Sequence, residues 1–167
     1  MISINGLYAT IRTLTRIGKW IALITMTLMM LFITYAVINR EFLTPVVGDV
    51  EIVQLGMVVL IMFGLAYSQA EDAHVSIGLL VDRFPQRLQH IIDAIAYTFT
   101  FAVCLIIGWF TFQAAVNNMV NQRLSTDLLV IPFFPFKFII AIGFTLWGLE
   151  ALLKVVQSIS ALNKDSA

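Results

Sequence analysis

The sequence predicts an all-α membrane protein: four transmembrane helices, both termini in the cytoplasm, and two helical segments lying at the membrane surface. Three observations carry that prediction. Of 167 residues, 60% are hydrophobic and 12% charged, about half the charged share of a soluble domain. A soluble domain of this length would bury a core but would still need a charged surface, and these residues cannot build one. The second observation is four apolar runs of at least 19 residues each, over 20–38, 52–70, 91–115 and 132–156. About 20 residues of helix cross a hydrocarbon layer of ~30 Å. The third is an asymmetry of positive charge. Arg12, Arg16, Lys19, Arg83, Arg87, Lys154 and Lys164 fall on one side of this topology, and Arg40, Arg123 and Lys137 on the other. The loops are short, so the side richer in Lys and Arg is expected to be cytoplasmic.

Each element has its own sequence logic. Ahead of the first span, Ile4, Leu7, Tyr8, Ile11 and Leu14 recur at helical spacing while Arg12, Arg16 and Lys19 share another face. This predicts an amphipathic helix over about 3–18, lying at the headgroups with its basic residues toward anionic lipid. The first span is too long for the apolar region of a signal peptide, and Asn39-Arg40-Glu41 follows it in place of a cleavage site, so it reads as an uncleaved helix. The turn around Thr44-Pro45 and Gly48 leads to Asp49, expected to cap the second helix, and to Glu51 in its favoured first turn. Between the second and third spans, Ile77, Leu80, Val81, Phe84 and Leu88 again follow helical spacing. They predict a short interfacial helix that breaks at Phe84-Pro85 and a third helix that starts with Pro85. The polar loop 117–128 offers Ser125, Thr126 and Asp127 as caps, and Pro132 and Pro135 mark the entry to the fourth helix. With no repeat or dividing linker, residues 1–167 read as one integral membrane domain.

Chemistry is sparse. The spans carry no ionisable residue at their centres, and His74 and His90 flank the middle loop, where they cannot face each other across a haem. Cys104 is alone, so neither a disulfide nor a paired-cysteine redox site can form. Glycine-rich phosphate loops and metal-ligand spacings are missing from the sequence. No catalytic residue, cofactor or metal is expected, and the chain is not expected to be an enzyme. Threonines in the spans suit bonding back to their own helix. Gly56 and Gly64, two turns apart, would let another helix approach the second span closely.

The ordered motifs resemble a known family. They are Val37-Ile38-Asn39-Arg40 at the end of the first helix, Gly48-Asp49-Val50-Glu51 at the start of the second, and the stretch from Gly64 to Ser76 containing His74. Leu80-Val81-Asp82-Arg83-Phe84-Pro85 and Ile131-Pro132-Phe133-Phe134-Pro135 follow in order. Over nearly its whole length the chain resembles the small membrane (Q, DctQ-like) subunit of tripartite ATP-independent periplasmic (TRAP) transporters. Val50 departs from the aromatic residue common there in that family.

The resemblance implies a multi-pass protein of the bacterial inner membrane that serves as scaffold subunit of a sodium-coupled symporter of organic acids, either carboxylates or sugar acids. Its partners would be a large polytopic transport (M) subunit, a periplasmic substrate-binding protein and membrane lipid, without nucleic acid. Arg40 and Glu51 are expected to form a structural pair on the periplasmic side. Asp49, Arg123 and Asp127 are candidates for contact with the periplasmic partner, and His74, Arg83 and Arg87 for the cytoplasmic interface. Two other readings stay open: the membrane anchor of a respiratory or redox complex, and a small homo-oligomeric transporter acting alone.

Overall fold

The computed structural model describes residues 4–71 and 85–164. It contains α1 (Ile4–Phe42), α2 (Asp49–Ala70), α3 (Gln86–Asn117) and α4 (Phe134–Lys164), with a π-helical turn, Asn118–Gln122, continuing α3. All four α-helices are long and apolar enough to cross a membrane. Among the described residues, extended pairing is limited to one antiparallel bridge between Ser125 and Pro132. The start of α2 meets the α3–α4 loop, and the first part of α1 meets the last part of α4. The α1–α2 turn and the α3–α4 loop therefore share one end of the molecule, here the loop end. The outer parts of α1 and α4 share the other, the terminal end.

Neighbouring helices follow the order α1–α2–α4–α3, so α4 is central. Two glycines explain how α4 serves two neighbours. A Cβ added at Gly143 would lie 2.6 Å from Met62 Cβ and 3.2 Å from Met62 Cα on α2. One added at Gly148 would lie 3.2 Å from Cys104 Cβ on α3. Five residues turn a helix through about 140°, which places the two glycines on different faces. Between lipid-solvated helices the hydrophobic effect contributes little, and close backbone approach brings the dispersion contacts that hold them. Ala141, Leu146, Ala151 and Leu153 complete the buried surface of α4, and Cys104 is a buried apolar residue of α3. Of the glycines singled out on α2, Gly56 lies against the Met29 side chain of α1, 2.7 Å from an added Cβ, whereas Gly64 has nothing within 4 Å.

The amphipathic helix expected over 3–18 is not a separate element, because α1 runs unbroken from Ile4 to Phe42. Its 39 residues extend for about 58 Å, nearly twice the hydrocarbon thickness. Ile11, Thr15 and Gly18 are buried within this first part, so it packs on the other helices as well as preceding the span. The interfacial helix expected between the second and third spans, with His74 and Arg83, lies outside the described residues. So does the side chain of Arg87. Pro85 is the N-cap of α3, one position earlier than expected, and its carbonyl accepts the amides of Leu88 and Gln89. The threonines behave as their chemistry suggests: Thr27, Thr34, Thr98, Thr100, Thr111 and Thr145 each donate to the carbonyl four residues earlier.

Candidate functional site

At the loop end, a polar cap is built from the start of α2 and the α3–α4 connection. Gly48 precedes α2 with φ 79°, a left-handed conformation that costs glycine nothing and gives the helix no side-chain cap. Asp49 therefore does not cap α2 as expected. It is the first residue of the helix, and its Oδ1 accepts the amide of Val50. Glu51 reaches across the molecule: Oε1 accepts the Leu128 amide at 2.8 Å and Oε2 the Leu129 amide at 3.0 Å. One carboxylate thus fixes two adjacent backbone donors, and Leu129 is held directly over Gly48. The pairing expected between Arg40 and Glu51 is replaced by this clamp.

The loop held by Glu51 is internally bonded. Asn118, buried in the π-turn, accepts the Leu124 amide through Oδ1 at 2.7 Å, while its backbone carbonyl accepts the Arg123 amide. Its side-chain Nδ2 is buried without an acceptor. Thr126 Oγ1 accepts the Ile131 amide, and the Ile131 carbonyl accepts the Thr126 amide. Thr126 thus closes the loop on itself and caps no helix, because α4 begins only at Phe134. Arg123 and Val130 both have positive φ, 46° and 54°. For β-branched Val130 that conformation is strained and persists because bonds on either side impose it. The result is a rigid tip that exposes Leu128 (65%) and Val130 (68%) beside the exposed charges Arg123 and Asp127.

At the terminal end a second polar network ties three helices. Thr15 of α1 donates to the carboxylate of Glu150 on α4, and Glu150 is buried. Lys19 donates to Tyr67 Oη at 2.9 Å and lies 4.6 Å from the centre of the same ring, joining α1 to α2. Trp147 Nε1 donates to Gln69 at 3.2 Å, joining α4 to α2. Of the three basic residues expected to face lipid, Arg12 and Arg16 are exposed, with Arg12 over the Tyr8 ring, whereas Lys19 turns inward. Glu150 thus takes its hydroxyl donor from another helix.

The comparison that decides the family covers most of both networks. A family model described as "Tripartite ATP-independent periplasmic transporters, DctQ component" matches residues 29–161. The chain belongs to the DctQ family. The match begins within α1, so Thr15 and Lys19 lie before it, while the loop-end cap lies wholly inside it. No curated protein and no solved structure matches the chain. DctQ is a transporter component and not an enzyme family, which suits two networks whose polar groups fix backbone and neighbouring helices. Of the residues predicted from sequence, this DctQ component brings Asp49, Glu51, Arg123 and Asp127 to one end, together with Arg40. Sequence reasoning missed Asn118, the Leu129–Gly48 contact and the Gln69–Trp147 bond. Only Asn118 had a visible signal, in the polar run Asn117-Asn118 followed by Asn121-Gln122.

Proposed function

We propose that this DctQ component is the fixed membrane scaffold of an importer of organic acids, carboxylates or sugar acids, driven by a sodium gradient. In this reading it binds a large polytopic transport subunit and helps dock a periplasmic substrate-binding protein. The observation that carries the reading is the distribution of burial. In their most apolar stretches α1 has 6% of its residues buried and α2 and α3 have 11% each, against 39% for the central α4. These three helices offer long apolar faces to a hydrophobic surrounding, lipid or protein. A static partner for a moving transport domain needs such faces, held at constant depth.

The termini belong on the cytoplasmic side of a bacterial inner membrane, where the basic residues concentrate, and the loop end then faces the periplasm. There the rigid tip, with Arg123 and Asp127 beside Leu128 and Val130, suits contact with a soluble partner, and Asp49 lies on the same end. Arg12 and Arg16 suit anionic headgroups on the cytoplasmic face, while His74, Arg83 and Arg87 would complete that interface.

The test is affinity purification of the tagged chain from its native membrane in mild detergent, with mass spectrometry of the retained proteins. Stoichiometric recovery of a much larger polytopic protein is expected. Recovery of the chain alone, or with a redox enzyme, refutes the scaffold reading.

A further inference from the structure

A groove of about 280 Å³ follows the α1–α2 seam at the loop end. Its walls are Ile33 and Val37 from α1 and Val50 and Val53 from α2, and its mouth carries Arg40 and Asp49. Arg40 is in the last turn of α1, and Asp49 is the first residue of α2. Ile33 lies two turns deeper than Arg40, about 10 Å along the helix, so the groove descends from headgroup level into the hydrocarbon. The two charges do not pair with each other. Among the described residues the Arg40 guanidinium has no partner, and Asp49 makes only the bond from the Val50 amide. An unpaired cation and an unpaired anion therefore flank the polar end of one apolar channel.

The geometry points to a bound phospholipid with a zwitterionic, primary-ammonium headgroup: phosphate on Arg40, ammonium on Asp49, and one acyl chain along Ile33, Val37 and Val53. Charge complementarity selects this occupant. A guanidinium takes phosphate oxygens in pairs. A primary ammonium supplies N–H donors to a carboxylate, which a quaternary ammonium cannot do. A lipid with a net negative headgroup satisfies Arg40 and sets its charge against Asp49. An apolar protein helix laid in the groove leaves both charges unmatched. The residues named here all come from this chain.

The experiment is native mass spectrometry of the full chain in mild detergent, titrated with phosphatidylethanolamine, phosphatidylcholine and phosphatidylglycerol of identical acyl chains. Phosphatidylethanolamine is expected to bind about tenfold more tightly than the other two, as one charge-assisted hydrogen bond would give. Asp49→Asn is expected to erase its advantage over phosphatidylcholine, and Arg40→Gln to weaken all three. Val53→Trp fills the groove without touching a charge and is expected to abolish tight binding, which keeps the site testable if either charge variant folds poorly. Equal affinity for the three lipids, a preference for phosphatidylglycerol, or an unchanged preference in these variants overturns the site.

Discussion

Gly48 is where conformation and packing converge on one atom, and Gly48→Ala separates them. At φ 79° an L-residue sits in the left-handed region, at a cost of roughly 1–2 kcal/mol. The added Cβ would also lie 2.5, 2.7 and 2.9 Å from Leu129 Cγ, Cδ1 and Cδ2. Leu129 cannot simply swing away, because Glu51 holds its amide at 3.0 Å. Overpacking of this kind costs about 1–3 kcal/mol, so the whole substitution is expected to destabilise by about 2–5 kcal/mol. The assay is reversible unfolding in mixed micelles, followed by tryptophan fluorescence. Gly48→Ala combined with Leu129→Ala should recover the packing part in a double-mutant cycle and leave the conformational part. Gly64→Ala supplies a control of opposite sign, since nothing lies within 4 Å of its Cβ and it is helical. It should stabilise by about 0.5–1 kcal/mol. A Gly48→Ala protein as stable as the parent, or a double variant no better than the single one, would refute the account.

Other expectations follow from the same contacts. Gly143→Ala should destabilise more than Gly148→Ala, by about 1–3 kcal/mol, because its Cβ meets Met62 backbone atoms at 3.2 Å as well as Met62 Cβ. Met62→Ala should not fully rescue it in the same unfolding assay. A double-mutant cycle over Gln69→Leu and Trp147→Phe, which share a 3.2 Å bond, should give a coupling of about 0.6 kcal/mol and at most about 1.7. Glu51→Ala should speed hydrogen exchange at the Leu128 and Leu129 amides, the two it holds, while exchange in the middle of α3 stays unchanged. Thr15→Val strips the hydroxyl donor from buried Glu150 and should destabilise by about 1–3 kcal/mol. Glu150→Gln keeps an acceptor for that hydroxyl and should be milder in the same measurement.

The four helices were legible because length and apolarity suffice to specify a span, and helix ends fall where loop chemistry begins. What escaped the sequence depended on rotation about helix axes. Gly56 and Gly64 have the spacing of a helix-contact pair, yet the contact that brings α2 against α4 is made by Gly143 on the partner side. Four apolar faces that look alike to lipid give no clue to which face meets which. Glu51 was recognised as a first-turn acid of α2, and the nearest opposite charge in sequence was Arg40. Its true partners are backbone amides 77 and 78 residues away, and backbone donors have no sequence signature. The continuity of α1 was hidden for a related reason. The amphipathic pattern before Trp20 suits a helix on a membrane surface and equally suits one that packs Ile11 and Thr15 against the other helices.

The two polar networks divide the molecule in a way that bears on its role. At the loop end, the Glu51 clamp ties loop backbone to the start of α2, and the other bonds close the loop on itself and on the π-turn that ends α3. At the terminal end, the contacts run between side chains of α1, α2 and α4 and fix how those helices are rotated and how deep each one sits. The scaffold role proposed above, a subunit that stays still while its neighbour moves, would need both constraints, since either alone would leave a rigid tip on a sliding bundle or a fixed bundle with a loose tip. The flanking faces of α1 and α3 are then free to be apolar and unspecialised. Losing the Glu51 clamp should therefore disturb the tip and spare the bundle, whereas losing the Thr15–Glu150 contact should loosen α1 against α4 and leave the Leu128 and Leu129 amides protected. Hydrogen exchange on the two variants, read at both ends of the same protein, separates these effects. A single variant that deprotected both ends equally would show that the networks act as one.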